Sequence, residues 1–321
     1  MKSTSEKREL PAQASPTPAG WKSVAWGGIQ FAVPREWEPA RIGARHLLFE
    51  SDAGPAMEIK WGPSGRRFSG RRYLKRLARQ IGRSGAIFRE RALTVAEGRS
   101  QGPFEGLGFE WQDKEGGALG ALLFCPVCRT VSLVQFFRRG PAAEGDRPAG
   151  RVIGSFQDHR SDGRCAWALY DIRAVVPVHF RLVGHRFDAG RFVLKFSGRR
   201  RGLTLYRWAP AGVLLKDRDL GAFAAASAGG AGMDLRPRVG AGRSEVQGVD
   251  PRPVGLVDRL KAVLRRPRFR GIRVWCVEGR NRILGVRLEA PQPVTAAELS
   301  ELCRAYGMDD ETENQTGLDP I

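Results

Sequence analysis

The segments FAVPREW at residues 31–37 and AVVPVHF at residues 174–180 lie in different halves of the chain, yet they share an apolar run, a proline and an aromatic residue at matching positions. Two alternating apolar and polar segments follow each of them, at 45–49 and 57–61 and again at 191–196 and 203–208. Alternation with aromatic or β-branched residues is typical of short strands. Because element order and spacing agree, the sequence indicates an internal repeat and therefore two domains.

A helix is predicted after each set of strands. In the first half Ser69 is the N-cap, and Leu74, Leu77 and Ile81 recur at helical spacing. In the second half Asp217 or Asp219 caps an alanine-rich helix over 220–228. Further strands are predicted at 92–96, 107–112, 119–124 and 130–137, and at 272–276 and 282–288. Each half closes with a short helix, at 150–156 and from 295 or 296 to 306.

Strands and helices segregate within each half instead of alternating, which favours an α+β class over a doubly wound parallel sheet. We therefore predict two tandem antiparallel-sheet domains with packed helices. Residues 1–20 are predicted to be a disordered tail, 21–160 the first domain, 161–308 the second domain and 309–321 an acidic tail. The second domain is expected to carry an insertion at about 229–270 that includes an amphipathic helix.

The order of these elements resembles the PsbP-like fold, which a photosystem extrinsic subunit shares with a small eukaryotic regulator of the nuclear-transport GTPase Ran. Val33-Pro34 with Trp37, and the closing segment from Ile153 to Phe156, carry the resemblance. It covers nearly the whole chain as two tandem copies. The resemblance implies a compact antiparallel sheet between helices and a non-enzymatic accessory or binding role. It transfers no metal-binding or GTPase-contacting residue to this chain.

Charge is the unusual global property of this sequence. Among 321 residues, 53 are Lys or Arg and 34 are Asp or Glu, which gives a net charge of +19. A GC-rich coding sequence explains a preference for Arg over Lys, but it does not explain why bases outnumber acids. Such a surface is expected to attract polyanions or an acidic partner, with an affinity that falls as salt rises.

Composition excludes several classes of protein. A hydrophobic content of 42% is enough for real cores, so disorder along the whole length is excluded. No run of 18 apolar residues occurs, so no membrane span or membrane partner is predicted. The first 20 residues show no secretory signal, and five cysteines are too few for a disulfide scaffold. We therefore expect a cytoplasmic protein.

Cys125 and Cys128 form the most specific local motif, Cys-Pro-Val-Cys, in a predicted hairpin turn. Two thiolates at this spacing supply half of a tetrahedral zinc site, so zinc is the one cofactor that the sequence suggests. No second such motif is present, and the remaining cysteines and histidines are scattered singly. The alternative is a pair of small cysteines that serve only the turn.

Basic side chains cluster on the helix predicted after Ser69. Between residues 66 and 83 there are eight bases and no acid. A second basic cluster lies near Arg265 and Arg266. The residues predicted to bind anions are Arg72, Lys75, Arg76, Arg79, Arg83, Arg265 and Arg266. The alternative is a solvated face that keeps a basic protein soluble, and no motif for sequence-specific nucleic-acid recognition accompanies the charge.

No coherent set of acid–base, nucleophilic or metal-binding residues emerges from the sequence. The leading hypothesis is therefore a non-catalytic protein that acts by binding a macromolecular partner, most simply another protein. The alternative is a polyanion-binding or nucleic-acid-binding protein that uses its basic helices. A third hypothesis, an enzyme with a site between the two domains, has no residues that the sequence can nominate.

Overall fold

The structure, a computed structural model, describes residues 19–93, 104–138, 146–158, 162–238, 244–251, 269–277 and 279–309. The described chain divides into two compact units, of which the first ends at Tyr170 and the second runs from Asp171 to Asp309. The sequence places this boundary after residue 160. The predicted helix within 252–268, the acidic tail from 310 onward and residues 1–18 of the amino-terminal tail lie outside the described residues.

The first unit contains a seven-stranded antiparallel sheet with the strand order β3-β4-β5-β9-β8-β7-β6. Separately, β1 pairs with both β2 and β10. Helix α1 connects β5 to β6, and α2 follows β9. The elements are β1 (Trp21–Trp26), β2 (Ile29–Pro34), β3 (Glu38–Gly43), β4 (His46–Ser51), β5 (Gly54–Pro63), α1 (Gly70–Gly82), β6 (Ile87–Arg91), β7 (Glu105–Gln112), β8 (Gly117–Phe124), β9 (Thr130–Arg138), α2 (Asp146–Gly154) and β10 (Arg164–Leu169).

The second unit repeats this chain path. Its seven-stranded antiparallel sheet has the order β12-β13-β14-β18-β17-β16-β15. Two short helices connect β14 to β15. Strand β11 pairs with β19, which follows the closing helix. The elements are β11 (Ile172–Pro177), β12 (Arg181–Asp188), β13 (Arg191–Gly198), β14 (Arg201–Trp208), α3 (Ala211–Leu214), α4 (Leu220–Ser227), β15 (Arg236–Pro237), β16 (Glu245–Val249), β17 (Phe269–Val277), β18 (Arg282–Ala290), α5 (Ala296–Arg304) and β19 (Tyr306–Met308).

The predicted α+β class with packed helices is wrong, because strands make up 52% of the described residues and helices only 17%. The sequence undercounts strands where the side chains are polar. Strand β3 is mostly exposed or half-buried, and β12 has no fully buried residue, so neither shows clean alternation. Both form because their backbones pair with β4 and β13. The fold is therefore β-rich, with short helices added to antiparallel sheets.

Residues 229–270, expected to form an insertion, contain β15 and β16 among their described part. These two strands occupy the places in the second sheet that β6 and β7 occupy in the first. Much of this segment therefore belongs to the repeated fold. Of the described helices, none combines the length and the apolar character that crossing a bilayer requires.

Each unit has its own apolar core. In the first, Leu74 of α1 packs in a cluster with Phe109 of β7, Leu122 of β8 and Leu133 of β9. In the second, a larger cluster joins Phe223 of α4 to residues of five strands. Helix α1 covers the sheet in the first unit, and α4 covers it in the second. In each helix one face therefore packs on the sheet and the other faces solvent.

Candidate functional site

Helix α1 begins at the predicted N-cap, where the Ser69 hydroxyl accepts a hydrogen bond of 3.4 Å from the backbone N–H of Arg72. Leu74 is fully buried, and Leu77 and Ile81 are half-buried on the same side. At Gly70 an added Cβ would lie 2.9 Å from the Leu107 side chain, so this residue allows the helix to approach β7 closely. The apolar contacts therefore fix which face of α1 meets solvent.

Every charged side chain on the exposed side of α1 is basic, and we call this surface, which also includes the uncharged Gln80, the α1 basic face. Its exposed basic members are Arg71, Arg72, Lys75, Arg76, Arg79 and Arg83, preceded by the exposed Arg66 and Arg67. Within the part of the chain that the structure describes, none of these eight side chains makes an ion pair. The structure thus brings together all five anion-binding residues predicted on this helix, whereas Arg265 and Arg266 lie outside the described residues.

A five-residue turn, which we call the thiol turn, connects β8 to β9 and carries both predicted zinc ligands. The Cys125 N–H donates to the Thr130 carbonyl at 3.0 Å, and the Arg129 N–H donates to the Cys125 carbonyl at 2.9 Å. Cys125 is buried and Cys128 is exposed. Arg129 adopts a left-handed conformation, with φ of 59°, which is uncommon for a non-glycine residue.

A third residue, Asp158, joins the two cysteines, although no local sequence pattern predicts it as a ligand. Its Oδ2 atom lies 2.8 Å from Sγ of Cys128, and the residue is 7% exposed. The ligand atoms of Cys125, Cys128 and Asp158 all lie within 4.8 Å of one another. Thirty residues separate Cys128 from Asp158, so only the folded chain reveals this proximity. An aspartate shortly after the end of α2 has no neighbouring residue pattern that would predict a metal ligand.

Partial burial and the hydrogen bond to the Asp158 carboxylate raise the pKa of the Cys128 thiol to about 11, and hydrogen bonds with Thr130 offset part of this rise. At neutral pH the thiol is therefore protonated and donates to Asp158. A protonated thiol is a poor nucleophile, since the thiolate is the reactive form. This environment is unlike that of a catalytic or redox-active cysteine.

The segment that leads into α1 is held against the thiol turn. The Arg129 guanidinium donates to the carbonyls of Gly65 at 2.7 Å and Arg66 at 3.1 Å. The Ser64 N–H donates to the Arg129 carbonyl at 2.8 Å. The ring centroids of Phe68 and Phe124 lie 4.9 Å apart. The thiol turn and the start of the α1 basic face are thus parts of one connected region of the first unit.

The second unit has a partly buried charge cluster and a cavity. Oδ2 of Asp171 accepts from Nε of Arg207 at 3.1 Å and from Nε of Arg282 at 3.3 Å. A cavity of about 380 Å³ lies between the turn after β13 and the start of α5. There Arg201 and Glu298 form an ion pair of 2.8 Å, and Glu298 also completes the cap of α5. These charges are used in structural contacts.

No protein-family model matches the chain, and no curated protein matches it. Among solved structures, a protein from Bacteroides thetaiotaomicron has 13% sequence identity and a TM-score of 0.31, covering 49% of this chain and 53% of its own. The immunity protein TplEi of the T6SS from Pseudomonas aeruginosa has 12% identity and a TM-score of 0.31, covering 90% and 97%. The chain thus spans about half of the Bacteroides protein. Likenesses at this TM-score carry no argument about function, and the PsbP-like resemblance stays a prediction.

Proposed function

We propose that this chain is a non-catalytic binding protein whose α1 basic face contacts an acidic surface on a protein partner. The observation that carries the proposal is the row of exposed bases on α1, none of which pairs with an acid among the described residues. A folded protein rarely gains stability from such a row, because like charges on one helix face repel each other. An acidic partner removes that repulsion.

The dimensions of the α1 basic face suit a macromolecule better than a small ligand. Arg72 and Arg83 are 11 positions apart, which at 1.5 Å per residue corresponds to about 16 Å along the helix axis. Guanidinium groups bind carboxylates through two parallel hydrogen bonds, so Arg gives both attraction and orientation. The buried contacts of Leu74 hold the face in place before a partner arrives.

A binding role, rather than catalysis, is supported by how the described ionisable groups are used. Asp171 accepts from two guanidinium groups, and Glu298 pairs with Arg201 while it completes the cap of α5. Such contacts stabilise a fold, whereas a general base or nucleophile needs a perturbed group directed at a substrate.

Nucleic acid is the second candidate partner, and the net charge of +19 favours it. Phosphate contacts need only positive charge, and their affinity falls steeply with salt. On this hypothesis binding would be independent of sequence, since base recognition requires side chains that reach base edges or stack on bases.

The test compares charge reversals on two surfaces of the full chain. The test variant combines Arg72→Glu, Arg76→Glu and Arg79→Glu. The control variant combines Arg191→Glu, Lys195→Glu and Lys216→Glu, which are exposed positions of the second unit and give the same change in net charge. Binding of a fluorescent polyglutamate peptide and of duplex DNA is measured by anisotropy over a salt series, alongside native pull-downs with and without nuclease.

We expect the α1 reversal, but not the control reversal, to abolish capture of a nuclease-resistant protein and to weaken polyglutamate binding at least tenfold. Loss of the captured material after nuclease treatment, with tighter binding to DNA than to polyglutamate, would support the nucleic-acid candidate instead. Equal losses in both variants would show that only total charge matters and would contradict the assignment of the α1 basic face.

A further inference from the structure

The thiol turn and Asp158 form the one group of metal-ligand type that the described residues bring together. We propose that Cys125, Cys128 and Asp158 form a zinc site in which two thiolates and one carboxylate oxygen bind the metal, and solvent completes the tetrahedron. The ligand types suit zinc, which binds sulfur and carboxylate oxygen and prefers four ligands. This proposal is independent of the α1 basic face.

The present separations are close to those of a tetrahedral site. Zn–S bonds of about 2.3 Å and Zn–O bonds of about 2.1 Å give ligand–ligand distances of roughly 3.6–3.8 Å. The three ligand atoms already lie within 4.8 Å of one another. The distance between Sγ of Cys128 and Oδ2 of Asp158 is shorter, 2.8 Å, because a proton lies between these atoms. Side-chain movements of about 1 Å convert this arrangement into a metal site.

The backbone holds the ligands in place from two directions. Within the thiol turn, the hydrogen bonds between Cys125 and Thr130 and between Arg129 and Cys125 hold the two cysteines in one tight loop. Asp158 arrives from the other direction, since Gln157 forms a two-way bridge with Gln30 of β2, with N···O distances of 2.7 and 2.8 Å. Ligands held before the metal arrives lose less conformational freedom on binding.

The second unit shows that the fold does not require this cluster. Gly307 pairs with the second residue of β11, as Gln157 pairs with the second residue of β2. The residue that follows is Met308 in the second unit and Asp158 in the first. The turn after β17 likewise contains Gly279 and no second thiol. Both an acid and a thiol are therefore replaced where the same chain path is kept, so the first-unit residues serve a purpose beyond folding.

Burial of Asp158 adds a second argument. Because this carboxylate is 7% exposed, water screens its attraction to a bound cation less than it would on an open surface. Zinc supplies two positive charges at the point where three ligand atoms converge. Binding releases one proton from each thiol to solvent, forms two Zn–S bonds and one Zn–O bond, and changes no oxidation state.

The experiment uses the full chain, purified under reducing conditions and stripped of metal. Zinc affinity and stoichiometry are measured by competition with a chromophoric chelator, and cobalt(II) is added separately as a spectroscopic probe. The variants are Cys128→Ser and Asp158→Asn, with Cys276→Ser as the matched control, because Cys276 lies at the corresponding hairpin of the second unit. Near-ultraviolet circular dichroism checks that each variant is folded.

We expect about one zinc ion per chain, a thiolate-to-cobalt charge-transfer band, and proton release on binding. Cys128→Ser and Asp158→Asn should each lower zinc affinity at least tenfold, and Cys276→Ser should leave it unchanged. Binding far below one ion per chain, or an equal loss in Cys276→Ser, would overturn the proposal. Should a variant fail to fold, the wild-type cobalt spectrum still decides, since folded, reduced protein without the charge-transfer band refutes thiolate ligation.

Discussion

Substituting Gly120 by Ala provides a sharp test of the first-unit core. Gly120 of β8 lies directly opposite Phe109 of β7 in the sheet. A Cβ at Gly120 would lie 2.0, 2.4 and 2.5 Å from three atoms of the Phe109 ring. Carbon atoms in ordinary contact are about 3.5–4.0 Å apart. Since the ring is fully buried and stacks on Phe88 at 5.3 Å, it has to move by about 1.5 Å against packed neighbours.

Overpacking of a core typically costs about 1–3 kcal/mol. Three close contacts to a fully buried ring place Gly120→Ala at the upper end, so we expect a loss of about 3 kcal/mol in the free energy of unfolding. The assay is urea-induced unfolding of the full chain, with hydrogen exchange in β7 and β8 to assign the transition. Gly82→Ala at the end of α1 is the control. No atom lies within 4 Å of its added Cβ, so it should stabilise by about 0.5–1 kcal/mol.

A double-mutant cycle attributes this loss to the ring. In the background of Phe109→Leu, whose side chain is smaller and flexible, Gly120→Ala should cost less than half of what it costs in the wild-type chain. A cost of no more than about 0.5 kcal/mol for Gly120→Ala would show that the core accommodates the added methyl group without a clash. An equal loss with and without Phe109→Leu would show that the clash lies elsewhere.

Three further predictions concern the cap of α1, a titrating carboxylate and a partly buried ion pair. Ser69→Ala removes the N-cap hydrogen bond and should lower the free energy of unfolding by about 1 kcal/mol, whereas Ser69→Asp should preserve it. Burial raises the pKa of Glu58, but hydrogen bonds and charges from Lys60 and His46 lower it more, so the folded-state pKa lies below 4.5. The stability that this interaction provides is therefore present above the unfolded pKa and lost as pH falls through the folded pKa, and Glu58→Gln should flatten that acid limb in urea titrations. Asp171→Ala leaves two guanidinium groups without their shared carboxylate and should cost about 3 kcal/mol, seen as a lower thermal midpoint.

Local signals in the sequence predict three of the helix starts well, whereas the helix predicted at 150–156 is observed from Asp146 to Gly154. Ser69, Asp219 and Thr295 are all observed as N-caps whose side chains accept a backbone N–H, and Thr295 forms a capping box with Glu298. A cap is a contact between residues three positions apart, so the local sequence contains all of its partners. For the same reason the five bases predicted on α1 are found on one exposed face.

Features that depend on distant residues escape sequence analysis. Strand β12 carries Arg181, His185 and Arg186 among its residues, and it is a strand because β13 offers a complementary row of backbone groups. Because many such polar strands are missed, the sequence overestimates the weight of helices in the fold. Asp158 is a similar case, since its meeting with Cys128 depends on how the segment after α2 is held against β2.

The two units share one chain path, so a feature that only one of them has is not required by the fold. In the second unit, α4 lies between β14 and β15, as α1 lies between β5 and β6 in the first. The exposed positions of α4 are Ala222 and Ala226. A compositional preference for Arg that acted evenly along the chain would have placed bases on both helices. The bases of α1 are therefore not needed to cover the sheet, and reversing one of them, as in Arg76→Glu, should change the free energy of unfolding by less than about 0.5 kcal/mol. If Arg76→Glu changes the free energy of unfolding by much more than it changes the free energy of binding, the α1 basic face is structural and the proposed contact with an acidic partner is wrong.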